Sequence, residues 1–345
     1  MKYAFYVAGL AVAIIVGWGK GILRPTRWRA LLAIILIAVG IIGGLYPPIV
    51  GTFQDAIVES RGKPVSINVL LPPNGIMPLS DSVIWCRDIS GSTVKARMVK
   101  NNKTVMAQSI PQKLLIHTSP ITHDFFDISS VTHAPWIMLP YIPGLGERAR
   151  ILFFHVPAAW TGFLAYVITM LYSLRYLRTS REEDDAVAVA SASIGTLFTI
   201  LAYISGAIWA KFNWGHFFNW DTRELSVLLL LAIYIAYFVL RANIRSDAQK
   251  RVAATYAIVA AVAALFLIFI VPRITTSLHP GSRDDTNIGP ILSPEQDTLD
   301  TTKAAIFSIM LAGFTLLYSW MLNFVARYRL IANYFQHSHS KTYHD

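Results

Sequence analysis

Seven stretches of this chain are almost free of charge, and they constrain its fold more than any other feature. They run over residues 3–18, 30–50, 156–174, 187–209, 225–240, 252–272 and 304–325. An α-helix climbs about 1.5 Å per residue, so roughly twenty apolar residues cross a hydrocarbon core of about 30 Å. The first block is the weakest of the seven: it is short, and Lys2 ahead of it gives it the look of a signal peptide. No Ala-x-Ala-like site follows it, however, and Lys20, Arg24, Arg27 and Arg29 come directly after. It therefore reads as an uncleaved span. Over the whole chain 54% of residues are apolar and 14% charged, where soluble domains carry roughly 25% charged residues. The expected class is an all-α polytopic membrane protein.

A net charge of +10 invites a nucleic-acid reading, but the basic residues gather in short segments between the apolar blocks. Segments 18–29, 175–186, 241–251 and 326–345 hold four, three, four and three Lys or Arg; 210–224 and 273–303 hold two and three. Positive loops stay in the cytoplasm, so 210–224, 273–303 and the long segment 51–150 are expected outside it, in a bacterial inner membrane. The expected organisation is two N-terminal spans over 1–50, a small β-rich extracytoplasmic insert over 51–150, a membrane core over 151–325 and a cytoplasmic tail over 326–345.

The insert shows short strand-like runs, Val65–Leu71 and Val94–Val99, broken by Pro72-Pro73 and Asn101-Asn102. The run Arg181-Glu-Glu-Asp-Asp185 reads as a solvated cytoplasmic turn whose acids suit the start of the next helix. The tail, with His337, His339 and His344, is expected to be disordered. The single cysteine, Cys86, excludes an intramolecular disulfide, and no Cys-x-x-Cys-His motif for covalent heme attachment is present.

The densest chemical signal is a Trp-rich loop over 206–224, in which Trp209, Trp214 and Trp220 fall within twelve residues, followed by Asp221 and Arg223. Tryptophan favours the headgroup layer, so an aromatic belt is the plain reading. A belt does not need Asp221 and Arg223. An aromatic shelf beside a guanidinium suits a large planar ligand with carboxylates at its edge. The second signal is His155-Val-Pro157-Ala-Ala-Trp160, where Pro157 suits a first helical turn and would set His155 just outside the helix start. The third is His279-Pro280-Gly281, after a span that exits on the same side. A lone interfacial histidine is usually a hydrogen-bonding residue. Two on one face, flanking a tryptophan loop, suit the axial ligation of heme iron by neutral imidazole.

His155-Val-Pro-Ala-Ala-Trp160 and Trp214-Gly-x-x-Phe218-x-Trp220-Asp221-x-Arg223 resemble the motifs of the WWD-domain heme-handling family of cytochrome c biogenesis, nearest its exporter branch. The likeness is drawn over about 30–325, six spans in matching order. It implies a non-covalently held heme b with His155 and His279 as axial ligands to the iron. Trp209, Trp214, Phe218 and Trp220 would form its platform, and Asp221 and Arg223 would orient its carboxylates. It also implies delivery to an extracytoplasmic heme chaperone of the CcmE kind, beside ABC-type transporter subunits of the CcmA and CcmB kind, with membrane lipid around the spans. Phe218 stands where that family has a tryptophan, and Glu224 where the exporter branch has leucine; Glu224 resembles instead the ending found in the CcsA-type synthases. No histidine lies within the seven spans, which favours the exporter branch. The extra first span and the 51–150 insert depart from that branch.

The reading is a carrier rather than an enzyme, because no acid–base pair or nucleophile is evident. Two rivals remain: a CcsA-like synthase that ligates heme to apocytochrome, and a small-solute transporter. The transporter would need ionisable residues at mid-membrane, and no charged pair is found there. His216 is a further candidate beside the ligand; His117, His123 and His133 have no ligand spacing.

Overall fold

The computed structural model describes residues 2–18, 23–24, 27–60, 65–80, 83–98, 113–142, 144–244, 248–279 and 301–342, with side chains throughout except at 2 and 336–342. The expected turn at Asn101-Asn102 and the Pro280-Gly281 pair lie outside the described residues. Six helices are long and apolar enough to cross a membrane: Arg27–Leu45, Gly146–Thr179, Glu182–Trp214, Thr222–Asn243, Gln249–Ile274 and Thr301–Phe335. The chain is thus a multi-pass membrane protein. Helix α1, Lys2–Trp18, is apolar but shorter.

The chain divides into two compact units. One is helical: α1, most of α2 (Arg27–Leu45), α4 (Leu152–Thr179), α5 (Glu182–Trp214), α6 (Thr222–Asn243), α7 (Gln249–Leu265), α8 (Val271–Ile274) and α9 (Thr301–Thr342). Helices α4 and α5 approach closely. A Cβ on Gly162 would stand 2.7 Å from Thr199 Oγ1, and one on Gly195 would stand 2.9 Å from the Ala165 Cβ. Small residues permit this contact, which in lipid replaces the hydrophobic effect as the cause of helix pairing. Ser191 Oγ donates to the Ala165 carbonyl at 2.6 Å and meets Tyr318 OH at 2.6 Å, so buried hydroxyls tie three helices together. Between α7 and α8, Phe266–Ile270 form a π-helical turn just before Pro272. Proline removes a helical donor and crowds the preceding turn, and the wider π turn accommodates both.

The other unit is built mainly from 42–149. Its eight-stranded sheet comprises β1 (Ile49–Gly51), β2 (Ile67–Leu71), β3 (Ile76–Pro78), β4 (Val83–Arg87), β5 (Thr93–Met98), β6 (Leu114–Pro120), β7 (Phe125–His133) and β8 (Leu139–Pro140). The strand order is β3-β4-β5-β7-β6-β2-β1-β8. Ile84 and Cys86, Val94 and Ala96, and Phe126 and Ile128 are buried at alternate positions, the period of two that a sheet covered on one face requires. Helix α3, Phe53–Glu59, is held by a Thr52–Asp55 capping box and lays Phe53 edge-on to Phe126.

Several sequence expectations are corrected. Pro157 lies inside α4, not in its first turn, and His155 is helical. A 3-10 turn over Gly146–Ile151 winds straight into α4, so the helix begins earlier than the proline suggested. The Trp-rich loop is shorter than 206–224. Nothing between Gly206 and Trp214 breaks a helix, so α5 continues until Gly215, whose φ of +89° ends it. Asp184 and Asp185 are buried rather than solvated, because basic side chains meet both. The tail is not a disordered strand of chain: α9 reaches Thr342, with no proline after residue 301 to stop it.

Candidate functional site

Four elements of the helical unit converge: the start of α4, the end of α5, the start of α6 and the segment after α8. Asp221 organises the last two. It caps α6, its Oδ1 accepting from Arg223 N at 2.9 Å. The same oxygen accepts from Ser277 Oγ at 3.0 Å, and Oδ2 accepts from Leu278 N at 2.7 Å. Thr222 Oγ1 adds a bond to the Thr276 carbonyl at 3.1 Å. The segment carrying His279 is thereby pinned to the first turn of α6.

His155 arrives from α4. Its Nδ1 lies 3.1 Å from Ser205 Oγ on α5, and the ring also meets the Ala202 carbonyl. The Ser205 hydroxyl gives its one proton to the carbonyls of Leu201 (2.8 Å) and Ala202 (3.0 Å). With the hydroxyl proton on those carbonyls, the Ser205 oxygen faces Nδ1 as an acceptor; Nδ1 then carries the imidazole proton and Nε2 keeps the lone pair. Gly206 makes the approach possible: a Cβ there would stand 3.0 Å from His155 Cε1.

His279 sits between two tryptophans, its ring centroid 5.3 Å from that of Trp209 and 5.2 Å from that of Trp214. The two indoles meet edge to face at 5.0 Å. Among the described residues, His279 Nδ1 and Trp209 Nε1 are buried without a hydrogen-bond partner. Burial pushes the imidazole pKa down to about 4, the charge of Arg223 and the neighbouring His155 push the same way, and Asp221 opposes them. His279 is therefore uncharged at neutral pH, with a lone pair to offer. The guanidinium of Arg223 acts on both imidazoles.

The structure thus brings together His155, His279, Trp209, Trp214, Asp221 and Arg223. Phe218 and Trp220 stand apart: they pair with each other at 5.0 Å, and among the described residues neither ring touches the His279 cluster. Trp220 is 77% exposed and holds a left-handed backbone, φ +55°. Glu224 closes this loop by accepting from Asn219 N at 2.6 Å. His216 is exposed, and His117 bonds Asn68 within the sheet. Ser205, Thr222 and Ser277 were missed from sequence. Ser205 had one available signal, since it stands four residues before Trp209 and so shares its helix face.

Comparison with known proteins identifies a family. The family described as CcmC, heme exporter protein C, matches residues 113–340. That stretch holds five of the six candidate spans and both histidines, and it begins later than the likeness drawn from residue 30. A ccmC-like mitochondrial protein of cytochrome c biosynthesis from Marchantia polymorpha is 40% identical over 90 residues, 26% of this chain. The heme exporter protein C of Bradyrhizobium diazoefficiens is 30% identical over 174 residues (50% of this chain), and that of Paracoccus denitrificans 30% over 138 residues (40%). The chain spans less than two thirds of each relative's length: 40%, 63% and 57% respectively.

Proposed function

The chain belongs to the heme exporter protein C family, and from that membership we propose that it holds heme b non-covalently at the outer membrane face and passes it on for cytochrome c assembly. The observation that carries this reading is the approach of two imidazoles from separate elements, near enough for His155 to act on His279, whose ring is uncharged at neutral pH. Neutral imidazole is a ligand of heme iron. In this reading the two histidines are the axial ligands, Trp209 and Trp214 wall the ring, and Arg223 receives the carboxylates. Asp221 has both oxygens engaged by the chain itself, so its part is to hold the His279 segment in place. Phe218 and the exposed Trp220 are assigned to the surface where the receiving protein docks.

The distribution of Lys and Arg supports an inner-membrane orientation with this site and the sheet unit outside the cytoplasm. Helix α1 is then an additional span; its 17 residues rise about 26 Å, close to a bilayer core. The partners in this scheme are a heme chaperone outside and ABC-type transporter subunits within the membrane. In this reading the chain acts as a carrier.

The test is the absorption spectrum of the full chain purified from heme-replete membranes. A low-spin, bis-imidazole spectrum on reduction is expected. A colourless protein that also fails to take up added hemin would overturn the assignment.

A further inference from the structure

The far end of the helical unit, away from the histidines, holds a partly open cavity of about 440 Å³. Known ligand sites run from about 300 to 1,000 Å³. Polar lining comes from Asp185, Arg241, Gln249, Lys250, Arg329 and Asn333, and Phe238 adds an apolar wall. The charges do not balance. Both ends of the Arg241 guanidinium donate to Asp185. Lys250 donates to Glu182 at 2.5 and 2.6 Å. Asp184 is taken by Arg175 at 3.3 Å and by Thr179. Glu182, Asp184 and Asp185 of the run that opens α5 are therefore committed, Glu183 is exposed and does not line the cavity, and Arg329 is left over among the described lining residues. Its Nε is buried and has no hydrogen-bond partner among the described residues. The charged groups that act on it are Arg241, which repels it, and Asp185, already held by Arg241.

A half-buried guanidinium without a counter-ion is costly, and an anion entering the cavity would relieve it. We infer that this cavity binds a phosphate group, with Arg329 as its principal ligand and the Asn333 amide beside it. Guanidinium matches the oxygens of phosphate geometrically, two donors to two acceptors. Basic pockets between membrane helices at the cytoplasmic boundary are where acidic lipid headgroups lodge, and Phe238 offers the apolar wall such a lipid needs. The lining has no histidine, cysteine, methionine or tyrosine, so it offers no ligand to a second heme iron. The phosphate comes either from an anionic phospholipid or from solution. The inference does not depend on the heme reading, since neither site nor test involves heme.

The experiment uses the full chain, delipidated in a neutral detergent, and follows its thermal unfolding midpoint. Phosphatidylglycerol, phosphatidylcholine and inorganic phosphate are added separately to the wild type and to Arg329→Gln, Asn333→Leu and Arg327→Gln. Phosphatidylglycerol should raise the midpoint of the wild type and of Arg327→Gln, whose side chain is outside the cavity, while phosphatidylcholine should not. Arg329→Gln should need at least about tenfold more lipid for the same shift. Asn333→Leu, which leaves the cation untouched, should weaken the response in the same direction and keeps the test valid if Arg329→Gln fails to fold. An Arg329-dependent shift with inorganic phosphate alone would support the site and identify its source as solution. Equal shifts with the two lipids, or an undiminished response in both cavity variants, would overturn the inference.

Discussion

At the end of the helical unit that holds His155 and His279, some buried polar atoms are left open among the described residues; at the other end three acids are each paired with a basic side chain. The first end has His279 Nδ1 and Trp209 Nε1 buried without partners, and its one buried carboxylate, Asp221, is spent on backbone and hydroxyl groups. The second end has Asp184, Asp185 and Glu182 each joined to a basic side chain. Unsatisfied buried polar atoms cost stability, so an end that keeps them is shaped for something that arrives later. An end closed by ion pairs is shaped to hold helices together. The lesson is that the proposed heme ligands and the helix-tying ion pairs are sited at opposite termini of the helical unit, and each set can be broken separately.

The largest expected effect is at the open end. His155→Ala and His279→Ala each remove one candidate iron ligand, and each should abolish the low-spin spectrum and strip most heme from the purified protein. The fold should survive, because neither ring carries a buried ion pair. Should both variants keep the wild-type spectrum, the open end would lose its claim to be the binding end.

Next comes the closed end. Asp185→Ala leaves Arg241 without its carboxylate partner, where the two side chains are only 5% and 16% exposed. Breaking such a pair from one side costs about 3–5 kcal/mol. The unfolding midpoint should fall by several degrees while the spectrum of the remaining folded protein is unchanged. An unchanged midpoint would mean that this pair does not hold α5 to α6.

Asp221→Ala mixes the two roles and so sharpens the contrast. It removes a helix cap, about 1 kcal/mol, along with the bonds to Ser277 and Leu278. Hemin affinity should fall more than the unfolding midpoint does, because the pinned segment carries His279. Asp221→Asn keeps one acceptor oxygen and should fall between. The measurements are hemin titration and thermal unfolding on the same preparations; a midpoint loss with full affinity would reduce Asp221 to a helix cap alone.

The difference between the ends also marks what the sequence could disclose. Spans were legible because a bilayer demands long apolar blocks whatever the tertiary contacts. The histidines and tryptophans were legible as a set because their motifs are long and fall on one side of the charge pattern. Helix limits were not: Pro157 reads as a helix start, yet the preceding 3-10 turn carries the helix through it. The run Glu182–Asp185 looks like a solvated turn because its partners, Arg175, Arg241 and Lys250, lie 9, 56 and 68 positions from the acids they meet. The detachment of Phe218 and Trp220 from the His279 cluster depends on Gly215 ending α5 beyond Trp214, which places the latter on the helix and the former in the loop.

The smallest expected effect belongs to Ser205. With its own proton on the Leu201 carbonyl, its hydroxyl would accept the Nδ1 proton of His155 and so leave Nε2 for the iron of the proposed heme. Outer partners of this kind typically change ligand affinity by about 10–100-fold. The Ala202 carbonyl also meets the ring, so the lower end of that range is expected. Ser205→Ala removes only an oxygen, leaves the helix intact and should weaken hemin binding about tenfold. Ser205→Thr retains the hydroxyl and should recover most of the loss, which a packing role alone would not produce. Low-spin electron paramagnetic resonance gives the independent readout, because a reoriented imidazole shifts the g values even where affinity changes little. Wild-type affinity and g values in Ser205→Ala would show that Ala202 alone orients the ring.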